Sequence, residues 1–191
     1  MLPIIILAAG ASERLGQPKQ LLQYRERTLL RNVVETALAS LCRPVIVVLG
    51  AFADQIRPEV ENTEVSVVFN SNWEEGMSAS IRAGLAAVRE VEQESEGVMF
   101  MVCDQPLVSA SLLESLVVAY RESGLPMAAC EYGEEPGVPA LFDRSLFPEL
   151  EALRGTEGAK RVLRRHRSEI ATIPFPEGVI DIDTLEDYQA L

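Results

Sequence analysis

At 191 residues and 21.0 kDa, with 48% hydrophobic residues, the chain is large enough for one domain with its own aliphatic core. Its 29 acidic and 17 basic side chains leave a formal charge of −12, which repels a phosphate backbone and excludes non-specific nucleic-acid binding. Three cysteines without C-x-x-C spacing exclude a disulfide framework or zinc site, and no run approaches the ~20 apolar residues of a membrane span.

The first run, Pro3 to Ala8, is continuously aliphatic, as a strand buried on both faces would be. It lacks the basic flank of a signal peptide and opens into a glycine loop, so a cytoplasmic location is expected. Leu29, Leu30, Val33, Val34, Ala37, Leu38 and Leu41 then trace one helix face, with Thr28 as its N-cap. Pro44 to Leu49 predicts a second buried strand, and Phe52 to Val60 a weak helix interrupted by Pro58. Val65 to Phe69, Val98 to Cys103 and Met127 to Cys130 predict further strands, separated by helices over Ser80 to Val91 and Ser109 to Tyr120. This alternation predicts a doubly wound, mostly parallel α/β sheet.

After residue 131, Gly133, Pro136, Gly137 and Pro139 break the pattern. Helices are expected over Arg144 to Leu153 and Thr156 to Arg167, then a last strand from Val179 to Ile182 and a short helix from Thr184. The acidic patch Glu90 to Glu96 reads as a solvated loop.

The residues after the first strand carry the most chemistry. Gly10 and Gly16 admit close backbone approach to an anion, Arg14 offers a planar fork for phosphate oxygens, and Lys19 adds a compact charge. The loop follows a strand's carboxyl end, where open α/β sheets bind ligands. It is neither a G-K-[ST] P-loop nor G-x-G-x-x-G; the bland alternative is a glycine turn with two solvated cations. Asp104 ends an apolar strand ahead of Pro106 and suits a hard cation such as Mg²⁺, or else caps the next helix. Ser78 and Ser80, after Gly76, either donate to a nucleoside or serve as helix caps. Trp73 and Cys103 read as packing residues, and His166, among arginines, as a poor general base. Asp181 and Asp183 would share one face of the last strand. Lys160, Arg161, Arg164 and Arg165 form a local basic run, either a solvated helix face or a phosphate contact.

The segment Leu7-Ala8-Ala9-Gly10-Ala11-Ser12-Glu13-Arg14-Leu15-Gly16-Gln17-Pro18-Lys19 closely resembles the signature of the molybdopterin nucleotidyltransferase-like family. The resemblance extends to Gly76–Gly84, Asp104-Gln105-Pro106, Gly137–Phe142 and Asp181–Asp187, and so covers essentially the whole chain. It implies a Rossmann-like fold of nucleotide-diphospho-sugar transferase type. One NTP-transferase domain would then divide into a nucleotide-binding part (1–131) and an acceptor-side part (132–191).

By that resemblance Leu7, Ala8, Ala9, Gly10, Gly16, Lys19, Gly76, Ser78 and Ser80 bind the nucleotide, and Arg14, Lys19 and Asp104 are catalytic. Asp104 and Asp183 would hold Mg²⁺, while Lys160, Arg161, Asp181 and Asp183 would meet the acceptor. Ala9, in L-A-A-G rather than L-A-G-G, implies CTP. The implied acceptor is molybdopterin, with a molybdoenzyme as recipient of the finished cofactor. The chain departs from the family's G-D-x-G-A-R at Gly155-Thr156-Glu157-Gly158-Ala159-Lys160, which opens the acceptor to a sugar phosphate or methylerythritol phosphate. A dinucleotide-dependent oxidoreductase and a non-catalytic cofactor carrier are the rival classes.

Overall fold

In the computed structural model, which describes residues 1–191, the aliphatic runs lie side by side in one seven-stranded sheet. In chain order its strands are β1 (Ile4–Ala8), β4 (Val45–Leu49), β5 (Ser66–Phe69), β6 (Gly97–Val102), β7 (Met127–Tyr132), β8 (Glu135–Asp143) and β9 (Ile170–Pro174). A separate ribbon joins β2 (Gln23–Tyr24) to β3 (Arg27–Thr28). The helices are α1 (Leu29–Ala39), α2 (Ala53–Ile56), α3 (Met77–Val91), α4 (Ala110–Ser123), α5 (Phe147–Glu151), α6 (Lys160–Arg165) and α7 (Leu185–Gln189).

The sheet order is β5-β4-β1-β6-β8-β7-β9, and β8 alone runs antiparallel to its neighbours. This is the Rossmann-like, mostly parallel sheet expected. The chain moves outward from β1 through β4 to β5, then returns to β6 on the other flank. The crevice between β1 and β6 is therefore the switch point at which such sheets bind ligands.

Side-chain alternation sends consecutive strand residues into two cores. Ile4, Ile6, Val47 and Met101 face α1 and α4, where Leu30, Val34, Leu113 and Leu116 cover them. Ile5, Ile46, Val48 and Phe100 face α3, α5 and α6, beneath Ile81, Leu85, Leu150 and Leu163. Burial of a large aliphatic side chain stabilises a fold by roughly 1.5–3 kcal/mol, so these two layers hold the crevice rigidly. Thr28 caps α1 by accepting from the Arg31 N–H, as its position predicts.

Several boundaries differ from expectation. The weak helix after β4 breaks into α2 and a 3-10 turn at Arg57–Glu59, around Pro58. The predicted helices over 144–153 and 156–167 shorten to α5 and α6, flanked by 3-10 turns. The expected strand over Val179–Ile182 is absent. Pro176–Val179 forms a 3-10 turn, and the sheet edge is taken by β9. Having no strand to pair with, residues 180–183 are held by single contacts instead. The Ile182 N–H donates to the Asp104 carbonyl at 3.1 Å, and the Ile182 side chain is buried with Leu22, Tyr24 and Leu29.

Candidate functional site

The loop between β1 and the 3-10 turn at Lys19–Leu21 is shaped by its own backbone. The Ser12 carbonyl accepts from the Leu15 and Gly16 N–H groups, at 3.0 and 3.2 Å, and the Ser12 hydroxyl accepts from the Lys19 N–H. Gly16 sits at φ +68°, in the left-handed region that glycine enters at least cost. It turns the loop but, unlike Gly10, lines neither of the site's two cavities. The N–H groups of Gly10, Ala11, Ser12, Glu13 and Arg14 donate to no group in the protein. By contrast, the carbonyls of Ala8, Ala9, Gly10, Ser12 and Glu13 are all engaged. Free donors with occupied acceptors make a surface suited to an anion.

Lys19 stands at the centre. Its Nζ donates to Asp104 at 2.6 Å, Asp183 at 2.7 Å and the Ile182 carbonyl at 3.3 Å. Burial alone would lower its pKa, but the Asp104 and Asp183 carboxylates outweigh that and hold it well above the ordinary lysine range. Asp183 also accepts from Arg14 Nη2 at 2.6 Å. Hydrogen bonding to Lys19, reinforced by Arg14, keeps its carboxyl below the usual range. Asp181 makes no such bond; burial, then the charges of Asp104 and Asp183, raise its pKa. No strand runs here to set Asp181 and Asp183 on one face, yet both line the second cavity with Asp104.

Two cavities meet here. One, of about 490 Å³, is lined by Leu7 and Ala8 at the end of β1, by Ala9 and Gly10 of the loop, and by Trp73 and Ser80. The other, of about 510 Å³, is lined by Arg14, Tyr132, Val138, Lys160, Asp181 and Asp183. Leu7, Lys19, Met77, Val102 and Asp104 belong to both. Trp73 packs as expected, with its Cβ over Gly50, and the residue also lines the first cavity.

Gly76, at φ +100°, packs so tightly that a Cβ there would lie 2.5 Å from the Gly155 carbonyl oxygen. The start of α3 is thereby fixed to the loop before α6, and the Ser78 N–H donates to the same Gly155 oxygen.

The sequence-predicted residues divide. Leu7, Ala8, Ala9, Gly10, Lys19, Gly76, Ser80 and Asp104 surround the first cavity. Ser78 does not, because its side chain is wholly buried and its hydroxyl lacks a partner. Ser80 reaches the cavity wall, but its hydroxyl accepts from Asn70 Nδ2 at 3.1 Å. Arg14 lies on the second cavity, beside Asp183, rather than on the first. Lys160 lines the second cavity and Arg161 does not; Arg161 is turned toward Glu157, one helical turn earlier. Arg164 and Arg165 are exposed and paired with Glu135 and Glu149. Cys103 is fully buried, and burial pushes its thiol up to about 12, in keeping with a packing role.

Two glutamines were missed. Gln20, 1% exposed, donates to the carbonyls of Ala8 at 2.8 Å and Gly10 at 3.1 Å. Gln105 donates to the Tyr132 hydroxyl and the Gly178 carbonyl, both at 3.2 Å, and so shapes the second cavity. Gln20 directly follows the loop segment that ends at Lys19 and Gln105 sits inside Asp104-Gln105-Pro106, and only their unusual burial marks them.

Asp104 and Asp183 present hard oxygen donors around a shared cation position, which the Lys19 ammonium fills. No group of three or more His, Cys, Asp or Glu side chains makes a ready-made metal cage. That donor set suits Mg²⁺, which uses one or two carboxylates and completes its shell with phosphate oxygens and water.

Residues 4–170 match the model of the MobA-like NTP transferase domain. The nicotine blue oxidoreductase of Paenarthrobacter nicotinovorans is 32% identical over 98% of this chain and 94% of its own. The molybdenum cofactor cytidylyltransferase of Escherichia coli (strain K12) is 24% identical, over 96% of this chain and 92% of its own. Among solved structures, Rv0371C of Mycobacterium tuberculosis H37Rv in complex with manganese superposes with a TM-score of 0.82 at 28% identity. That match covers 100% of this chain and 97% of the other. The chain belongs to the MobA-like NTP transferase family, nucleotidyltransferases of the nucleotide-diphospho-sugar transferase fold.

Proposed function

We propose that this chain transfers a cytidylyl group from CTP to a phosphorylated acceptor, with molybdopterin the first candidate. The observation that carries this reading is the pair of cavities joined at Lys19 and Asp104. One has a donor-rich loop suited to a triphosphate, the other a cation, Lys160, placed to meet a second phosphate. An acceptor phosphate oxygen attacks the α-phosphorus, the bond to the β-phosphate oxygen breaks, and pyrophosphate leaves. The attacking phosphate is already an anion, so no general base is required, in keeping with a single histidine that lines neither cavity. Catalysis then rests on positioning and charge neutralisation.

The loop N–H groups and Lys19 hold the triphosphate, and Arg14 faces the acceptor side through Asp183. Asp104 and Asp183 would hold Mg²⁺, which when bound neutralises charge on the phosphates. Residues 1–131 form the nucleotide part and residues 132–191 contribute most of the acceptor part. Pyrophosphate release measured with each of the four NTPs, Mg²⁺ and molybdopterin tests the assignment, with CTP expected to react fastest. Faster use of GTP would overturn the base preference, and no turnover with molybdopterin would move the acceptor to another phosphorylated compound.

The name of the Paenarthrobacter relative, an oxidoreductase matched along nearly its whole length, favours a second reading, a dinucleotide-dependent oxidoreductase. The loop's lack of G-x-G-x-x-G weighs against it. Titration with NADH and NADPH separates the two, since only the second reading expects binding.

A further inference from the structure

Gln20 is an unusual residue to bury. Its Nε2 uses both protons on loop carbonyls, Ala8 at 2.8 Å and Gly10 at 3.1 Å, while its Oε1 is buried with no partner. The amide orientation is fixed by chemistry, because the reverse would set Oε1 against two carbonyl oxygens. An unpaired buried acceptor is destabilising, so this amide is held at a cost, and its removal would leave the Ala8 and Gly10 carbonyls without the donor it supplies. What Gln20 achieves is local. It draws the Ala8 and Gly10 carbonyls to one side of the chain, next to the stretch from Gly10 to Arg14 whose N–H groups are free. A carbonyl left unheld in this loop would be free to turn toward the cavity and repel phosphate oxygens.

We propose that Gln20 is a positioning residue for the nucleotide's phosphates: it keeps the loop's acceptors away from the anion so that its donors face it. The proposal rests on the nucleotidyl-transfer reading. The test compares wild type with Gln20→Met, which keeps the volume and removes the donors, and Gln20→Glu, which sets oxygen against the two carbonyls. Binding of inorganic tripolyphosphate with Mg²⁺ is measured by calorimetry, alongside KM and kcat for CTP. Gln20→Met is expected to weaken tripolyphosphate and raise KM for CTP about ten- to a hundredfold, the scale of losing one or two loop N–H contacts to the charged phosphates. Its kcat at saturating CTP should be largely retained, because the interaction serves ground state and transition state alike. Gln20→Glu should lose more.

A folded Gln20→Met protein that binds tripolyphosphate as wild type does overturns the proposal, as does a lowered Tm with no separation of KM from kcat. If Gln20→Met does not fold, Gln20→Asn decides by the same measurement, since its shorter amide reaches at most one carbonyl. Wild type that binds neither tripolyphosphate nor any NTP overturns the nucleotidyl-transfer reading itself, a result distinct from equal binding by wild type and variant.

Discussion

Lys19 and the cations of α6 are basic groups in an acidic chain, but the fold treats them in opposite ways. The Lys19 side chain is 14% exposed, and its ammonium is clasped by carboxylates from segments 85 and 164 residues away. On α6, Arg161, Arg164 and Arg165 are more than half exposed, and each is paired with a different glutamate, Glu157, Glu135 and Glu149. Exposed pairs of that kind contribute about 0–1 kcal/mol each and are screened by salt. A buried ammonium must recover its lost hydration from fixed partners, so its surroundings are far more constrained. Concentration of charge along the sequence thus located a surface, while a single lysine located the centre. Lys160 lies between the two cases, since it lines the second cavity yet stands 3.7 Å from Glu135.

The sharpest way to break this comparison is at the centre. Asp104→Asn should cut pyrophosphate release by about a hundredfold or more, the scale of losing a fixed electrostatic group in a site. Circular dichroism should show the fold retained, because Lys19 keeps Asp183 and Ile182 as partners. Near-normal turnover by the folded variant would remove Asp104 from the metal assignment.

Lys19→Ala should act in two directions. Affinity for CTP should fall roughly ten- to a hundredfold with the lost charge-assisted contact. Affinity for Mn²⁺ in the absence of nucleotide, followed by electron paramagnetic resonance, should rise, because Asp104 and Asp183 lose their internal counter-ion. Weaker Mn²⁺ binding would mean that the two carboxylates do not share a cation position.

The same contrast explains what was legible in the sequence. Continuous aliphatic runs such as Ile4–Leu7 and Val45–Val48 have only one comfortable place, the middle of a covered parallel sheet, and that fixed the switch point and the loop beyond it. β8 was hidden because Pro136, Gly137 and Pro139 read as a turn. Its ladder with β7 shifts register between Ala129 and Cys130, and Val138 and Pro139 fall in the unpaired gap where no N–H is needed. β9 was hidden because an edge strand of alternating burial, Ile170 to Pro174, carries too short a pattern beside an arginine-rich helix. Asp183 was legible by resemblance, but its clasp on Lys19 and Arg14 was not, since no local spacing encodes a contact across the chain. Gln20 was invisible for a related reason. Its importance lies in which way two carbonyls point, and composition says nothing about that.

On the acceptor side the expected effects are smaller. Lys160→Ala should raise the acceptor KM several-fold, about the loss of one partly screened charge contact, and leave the CTP KM unchanged. Arg161→Ala should change neither, because its guanidinium is turned toward Glu157 and does not reach the cavity. Equal effects from both variants would mean that α6 acts as a diffuse basic surface, and the division between a built centre and a solvated face would fail.

The smallest effect concerns His166, which joins the two short helices of the acceptor side. Its Nε2 lies 2.8 Å from Glu149 on α5, and its Nδ1 lies 3.1 Å from Glu169. Hydrogen bonding to Glu149, then to Glu169, raises its pKa above the ordinary histidine value of 6.5. The contact with His166 also lowers the Glu149 carboxyl below 4.5. A raised histidine stabilises the folded state fully below the unfolded value, and that contribution is lost as pH rises through the folded value. A depressed glutamate contributes above its unfolded value, and loses that contribution as pH falls through the folded one. Both contributions are therefore complete only between about pH 4.5 and 6.5. Between there and pH 8.5, Tm should fall by about 1–3 °C on this account, the scale of one partly exposed ion pair in a chain of this length. His166→Gln should remove that increment of pH dependence while leaving CTP turnover unchanged, because the residue lines neither cavity. An identical Tm-against-pH slope in wild type and variant would show that the α5–α6 junction is held by its buried Leu150 and Leu163 alone.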